Sequence, residues 1–215
     1  MNPDPIDVSR PLWESRLGAI LARRSTGTDS SWRRTRAALR RGASVYTEQY
    51  AYAHVLPHID PGSSAHEQTT LIRLFAAAAE FDTIPQFQRS VEYPRRSFGQ
   101  WCFLVSTALA RARGETYTAD PDLPDAVAQR LRFLHTLNTE EALLNVTRIM
   151  KLASSLPGPA PALDYFDLFR MFLRWGNGLS PASQHVRRKI LRDYYSAYEP
   201  APISSSPSPQ NASTS

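Results

Sequence analysis

Residues 130–155, RLRFLHTLNTEEALLNVTRIMKLASS, decide the fold class. Val127, Leu131 and Leu134 recur at spacings of four and three, the apolar stripe of a helix over 126–137. Asn138, with Glu141 three residues later, has the pattern of a capping box and opens a second helix that reaches about residue 152. No run alternates with period two, and clusters of β-branched residues are missing, so strands are not expected.

The same period continues on both sides. Leu12, Trp13, Leu17, Ile20 and Leu21 mark a helix over 11–24, with Pro11 suited to an early helical position. The stretch STGTDSS breaks it and supplies caps for WRRTRAALRR (32–41), which Gly42 ends. A helix is expected over 45–56, stopping before Pro57. Another over 65–81 aligns Leu71, Leu74, Phe75 and Ala78, and one more covers 97–113. Phe166, Phe169 and Leu173 make 163–175 a strongly apolar helix, and Ser180 with Pro181 opens a last one to about residue 195. The expected class is therefore all-α, with about nine helices in two packed bundle-like parts. The acidic, proline-containing stretch 114–124 separates an N-terminal helical part (1–113) from a C-terminal bundle (125–198). Residues 199–215 have the composition of a disordered Pro/Ser tail.

A chain of 215 residues with 9 Phe, 9 Tyr and 4 Trp can bury a substantial core. The single cysteine, Cys102, can neither staple the chain to itself nor build a thiolate metal site, which points to a reducing compartment, the cytoplasm. The N-terminal decapeptide MNPDPIDVSR lacks the pattern of a secretory signal, and LIRLFAAAAEF, interrupted by Arg73, is too short to span a membrane.

With 25 Lys and Arg against 20 Asp and Glu the net charge is only +5, so the distribution of charge has to carry the argument. Five arginines lie in 32–41. Helical geometry puts Arg33, Arg36 and Arg40 on one face, Arg34 and Arg41 on another, and Trp32, Thr35 and Leu39 on a third that can dock on the core. No acid lies among them, so neutralisation comes from solvent or a partner, and the guanidinium fork suits phosphate oxygens. In the last helix Val186, Ile190 and Tyr194 form the apolar stripe, Arg188, Lys189, Arg192 and His185 lie opposite, and Arg187 falls at the apolar edge, where it can snorkel. Arg148 and Lys151 are an i,i+3 basic pair, and Arg130 and Arg132 flank Leu131 and point apart. Each patch reads either as phosphate-binding surface or as an ordinary solvated face. Trp32, Tyr46, Tyr50, Tyr52, Trp101 and Trp175 can stack on bases or fill the core.

GxSxG, Walker, GxGxxG, HExxH and CxxC patterns are absent, so no catalytic centre, cofactor or metal is expected. His54 and His58 have metal-pair spacing, but Pro57 interrupts it, and the adjacent Glu140 and Glu141 point apart.

The segments WRRTRAALRRG (32–42), SFG (97–99), 130–155, ALDYFDLFRMFLRWG (162–176) and VRRKILRDYYSAY (186–198) resemble, in order, the small subunit (CasB) of the type I-E CRISPR surveillance complex, Cascade. The resemblance covers about residues 10–198. It implies a non-catalytic, all-helical subunit present in two copies in an antiviral ribonucleoprotein, alongside guide RNA, target DNA and the backbone and large subunits. The implied task is to stabilise the R-loop by holding the displaced strand and buttressing the guide-target hybrid. Carried over by position, the nucleic-acid contacts fall on Arg33, Arg34, Arg36, Arg40, Arg41, Arg130, Arg132, Arg148, Lys151, Arg187, Arg188, Lys189 and Arg192, with Trp32, Phe133 and Tyr194 as structural support. Ile190 and Leu191 stand where the family commonly has Trp, and Asn145 where it has His. The competing function is a helical adaptor whose basic faces meet acidic protein subunits without touching nucleic acid.

Overall fold

The structure, a computed structural model, describes residues 11–27 and 29–197. The expectations for the N-terminal decapeptide and for the tail at 199–215 lie outside them. Among the described residues there are nine α-helices: α1 (Leu12–Thr26), α2 (Ser30–Arg41), α3 (Tyr52–Val55), α4 (Ala65–Glu80), α5 (Phe98–Ala112), α6 (Ala126–Arg132), α7 (Thr139–Ser154), α8 (Tyr165–Leu173) and α9 (Pro181–Ser196). There is no strand among them. An isolated bridge joins Gln86 to Leu163.

Helix α4 is the axis of the fold. Its first two turns are polar, but from Thr70 on it is enclosed on nearly every side, with Thr70 to Ala76, Ala78 and Ala79 all buried. Its alanines let α1, α2, α3, α7 and α8 approach closely. Ser64 and Glu67 close a full capping box at its start. Phe169 of α8 joins three helices, stacking on Trp13 at 5.5 Å and meeting Phe75 edge-on at 5.1 Å.

The most extensive helix pair is α5 with α9. They meet backbone to backbone at Gly99, where an added Cβ would sit 2.2 Å from the Ile190 carbonyl oxygen. Tyr194 then reaches from α9 to the Ser106 hydroxyl of α5 at 3.0 Å and to Tyr117 in the 114–124 stretch. Burial pushes its phenol well up, so it acts as a neutral hydrogen-bonding group. Pairing thus crosses the acidic stretch: α5 packs on α9, and α4 on α7 and α8.

Two expected helices are broken. Over 45–56 the chain makes turns, a 3-10 turn Glu48–Tyr50, the four-residue α3, and a second 3-10 turn Leu56–His58. Bonds between residues three apart replace the α ladder, at Thr47 to Ser44, Tyr50 to Thr47 and Ala51 to Glu48, and side-chain hydroxyls hold these turns: Thr47 donates to the Arg41 carbonyl at 2.7 Å, and Ser44 accepts from the Tyr46 N–H at 3.3 Å. Over 126–137 only Ala126–Arg132 is α-helical, followed by a 3-10 turn Leu134–Thr136. The N–H groups of Thr136 and Leu137 bond to the carbonyls three residues back, and the Thr136 hydroxyl donates to the Phe133 carbonyl at 2.7 Å, while Arg187 and Trp175 take the carbonyls that such a helix end leaves without partners, Arg187 at His135 and both at Leu137. Asn138 caps α7 by accepting from the Glu141 N–H at 3.0 Å, and no return bond from the Glu141 side chain completes a box.

Candidate nucleic-acid interface

Asp29 starts α2 by accepting from the Trp32 N–H at 2.8 Å, and Trp32 and Leu39 bury the inner face. That rotation aims Arg36 and Arg40 at the C-terminal end of α4. Arg36 donates to the Ala79 carbonyl at 2.9 Å and pairs with Asp82 at 2.8 Å, while Arg40 forks onto the Glu80 carboxylate. Both guanidiniums sit where helix carbonyls lack partners and the macrodipole is negative. The expectation that solvent or a partner neutralises all five arginines is therefore corrected, because α4 supplies Glu80 and the turn after it Asp82. Arg41 lies over the Tyr50 ring at 4.4 Å. Arg33 and Arg34 are exposed and have no partner among the described residues.

Helix α9 is sorted more sharply. Arg187 is buried and donates to the carbonyls of Trp175 (3.1 Å), Gly176 (2.7 Å), His135 (3.2 Å) and Leu137 (3.0 Å), with its guanidinium over the Trp175 ring at 4.9 Å. Burial pulls its pKa down, and the four carbonyls compensate the desolvated charge. It is a clamp between α8, α9 and the turn after α6, unavailable to phosphate, so its place among the contact residues is corrected. Lys189 pairs with Asp193 one turn on. Arg188 is exposed, touching only Gln184 at 3.5 Å, and Arg192 has no partner among the described residues. His185, Arg188, Lys189 and Arg192 line a shallow depression of about 260 Å³ without a carboxylate among its lining residues.

On α7, Arg148 and Lys151 are exposed and without partners among the described residues. Lys151 edges the groove between α4 and α7, about 780 Å³, yet Glu80, Asp82, Glu140 and Glu141 line that groove too. Acids outnumber bases there, so this large groove is a poor home for phosphate. On α6, Arg130 donates back to the Ala126 carbonyl of its own helix, and Arg132 lies over Phe133 at 5.5 Å. Phe133 is 60% exposed and holds no helix in place, which corrects its supporting role. Trp32 and Tyr194 are buried.

Several cations that pattern alone did not single out are structural. Arg24 donates to the carbonyls of Ala78, Phe81 and Ile84 and to the Tyr165 hydroxyl, and Arg73 binds Glu48, Glu140 and the Gly42 carbonyl. Arg174, at the C-cap of α8, is a further surface cation: exposed, without a partner among the described residues, and beside Lys189 in a depression of about 350 Å³. Its place in the apolar run MFLRWG (171–176) hides it from the charge pattern. The Cys102 thiol is fully buried, and desolvation pushes its pKa well up, which keeps it a protonated core group. His54 and His58 are partly buried, and burial together with the nearby Arg16 charge lowers both imidazoles. No cluster of three or more His, Cys, Asp or Glu residues arranged for a metal occurs among the described residues, and no helix there is long and apolar enough to cross a membrane.

The family model of the CRISPR-associated protein Cse2 matches residues 35–195. A chain of a CRISPR RNA-guided surveillance complex aligns with TM-score 0.54 and 20% identity, over 86% of this chain and 92% of that one. A Cse2-family CRISPR-associated protein from Thermus thermophilus aligns with TM-score 0.56 and 21% identity, over 86% and 97%. Among curated proteins none matches.

Proposed function

Because the chain belongs to the CRISPR-associated Cse2 family, we propose that it is the non-catalytic small subunit of a type I-E Cascade-like ribonucleoprotein and stabilises the R-loop. Its basic faces hold the phosphates of the displaced DNA strand and buttress the guide-target hybrid. The observation that carries this is the α9 depression, lined by His185, Arg188, Lys189 and Arg192 with no acid in its lining.

The physical logic is an equilibrium tipped by many small terms. Exchanging a DNA duplex for an RNA–DNA hybrid is nearly balanced in energy, so modest retention of the freed strand shifts the outcome without any chemistry. Phosphate contacts from Arg33, Arg34, Arg148, Arg188 and Arg192 supply that retention without reading sequence. Base pairing to the guide does the reading. The partners are then guide RNA, target DNA, the backbone and large subunits, and a second copy of this chain.

The test is the dissociation rate of matched duplex DNA from a complex reconstituted with guide RNA, with this chain present or omitted and strand opening followed in parallel. Faster release and less opening on omission are expected. Unchanged release and opening would sink the clamp. Salt-sensitive docking onto protein subunits in the absence of nucleic acid would transfer the function to a protein adaptor.

A further inference from the structure

The fold divides cleanly the six aromatic residues that the sequence offers for base stacking. Trp32, Trp101 and Trp175 are buried, whereas Tyr46, Tyr50 and Tyr52 are 86%, 51% and 36% exposed. The exposed three lie close together in sequence, on the irregular stretch that replaces the expected helix. We infer that Tyr46 and Tyr50, with Arg41, form a stacking site for unpaired bases of single-stranded nucleic acid, a deepening that rests on the R-loop function proposed above.

The stretch is braced from beneath. Ala51 and Val55 are fully buried, and Thr47 is tied to the Arg41 carbonyl at 2.7 Å. Tyr52 donates to Glu48 at 2.8 Å, and Glu48 pairs with Arg73 at 2.6 Å, which in turn donates to the Gly42 carbonyl at 2.7 Å. Rings on a fixed scaffold lose little freedom when a partner arrives. Large exposed aromatic surface on a braced segment calls for an occupant.

Charge identifies that occupant. Glu48 is the one acid in 44–56, and it is already committed to Arg73 and Tyr52, so no free carboxylate of this stretch opposes a phosphate. Arg41 sits over Tyr50 at 4.4 Å while the ring stays half exposed, combining a cation for the backbone with a π-face for a base. Tyrosine stacking tolerates any base, as a strand clamp that leaves sequence to the guide requires.

The experiment uses the full complex, with 5-iododeoxyuridine placed at successive positions of the displaced strand of a matched duplex, irradiated and mapped by peptide mass spectrometry. Crosslinks to Tyr46 or Tyr50 are expected. Tyr46→Leu with Tyr50→Leu should release that strand about 5- to 150-fold faster, the loss of roughly one base stack, while Tyr50→Phe keeps the wild-type rate. No crosslink in 46–52, with unchanged release from the leucine variant, overturns the stacking site. If Arg188→Glu with Arg192→Glu still speeds release in that case, the clamp survives without the tyrosines. If it does not, both fall. Failure of the leucine variant to join the complex before DNA is added, with its melting curve unchanged, makes the patch a protein-docking surface and also overturns the proposal.

Discussion

Helices α2 and α9 are both basic, but they use their arginines differently. In α2 the charge is dense along the chain, yet Arg36 and Arg40 face the C-terminal end of α4 and meet Asp82 and Glu80. In α9 the most deeply placed arginine, Arg187, is consumed by four carbonyls, and the outward side is left without an acid in its depression. Linear charge density is therefore a poor measure of free charge. What decides is which acids and carbonyls the fold carries to each guanidinium.

The sharpest break of this comparison is Arg187→Ala. It strands the four carbonyls and removes the stack on Trp175, so a loss of about 3 kcal/mol or more is expected. For a chain of this size that lowers the melting temperature by about 6–12 °C. Calorimetry checks it, and Arg187→Lys, lacking the fork, should recover only a minor part. A melting curve within a degree of wild type would remove the clamp from α9.

Next in size, Arg188→Glu with Arg192→Glu should leave melting unchanged and weaken target retention about tenfold or more. Its salt-dependence slope should fall by about 1.4 if both residues meet a single strand. Arg33→Glu with Arg34→Glu, the free pair of α2, should behave alike but less strongly. Filter binding over a salt series measures both, and a larger effect from α2 would reverse their ranking.

Arg36→Ala should act in the opposite sense. It costs about 1 kcal/mol by uncapping α4, with little change in retention at matched folded fraction. The smallest effect concerns Asp167 on α8, whose carboxyl is pushed up by burial despite Arg95 at 4.0 Å. An acid with a raised folded-state pKa loses stability as pH climbs through the range between its unfolded and folded values. Asp167→Asn should therefore gain stability at pH 7, and the gain should vanish as pH falls below the ordinary carboxylate range. Melts between pH 3 and 7 would show it.

Most of the fold is legible in the chain because caps and apolar period agree. Asp29, Ser64, Ser97, Asn138 and Ser180 all accept at helix starts, and α4 and α8 carry continuous apolar faces. The reading fails where the chain makes i→i−3 turns in place of the α ladder, over 44–51 and 133–137, turns that the hydroxyls of Ser44, Thr47 and Thr136 hold locally. The candidate site is legible only in outline. Periodicity picks out α2 and α9 as basic, and Arg187 already stands at an apolar edge, but Glu80 lies 40 positions from Arg40 and no local pattern announces the pair. Exposed tyrosines are equally hidden, since Tyr50 in a regular helix and Tyr50 in a braced turn have the same neighbours in sequence.

The pairing of helices across the 114–124 stretch also governs how the chain acquires its structure. Glu14 on α1 meets Arg170 on α8, 156 positions away, and Ser106 on α5 meets Tyr194 on α9 at a separation of 88. Such separations carry a heavy loop-closure cost, so this helical protein should fold more slowly than a bundle built from sequential neighbours. During synthesis the apolar face of α5 must wait on the ribosome for α9, which follows only after α6, α7 and α8, and until then that surface is open to chaperones and to aggregation.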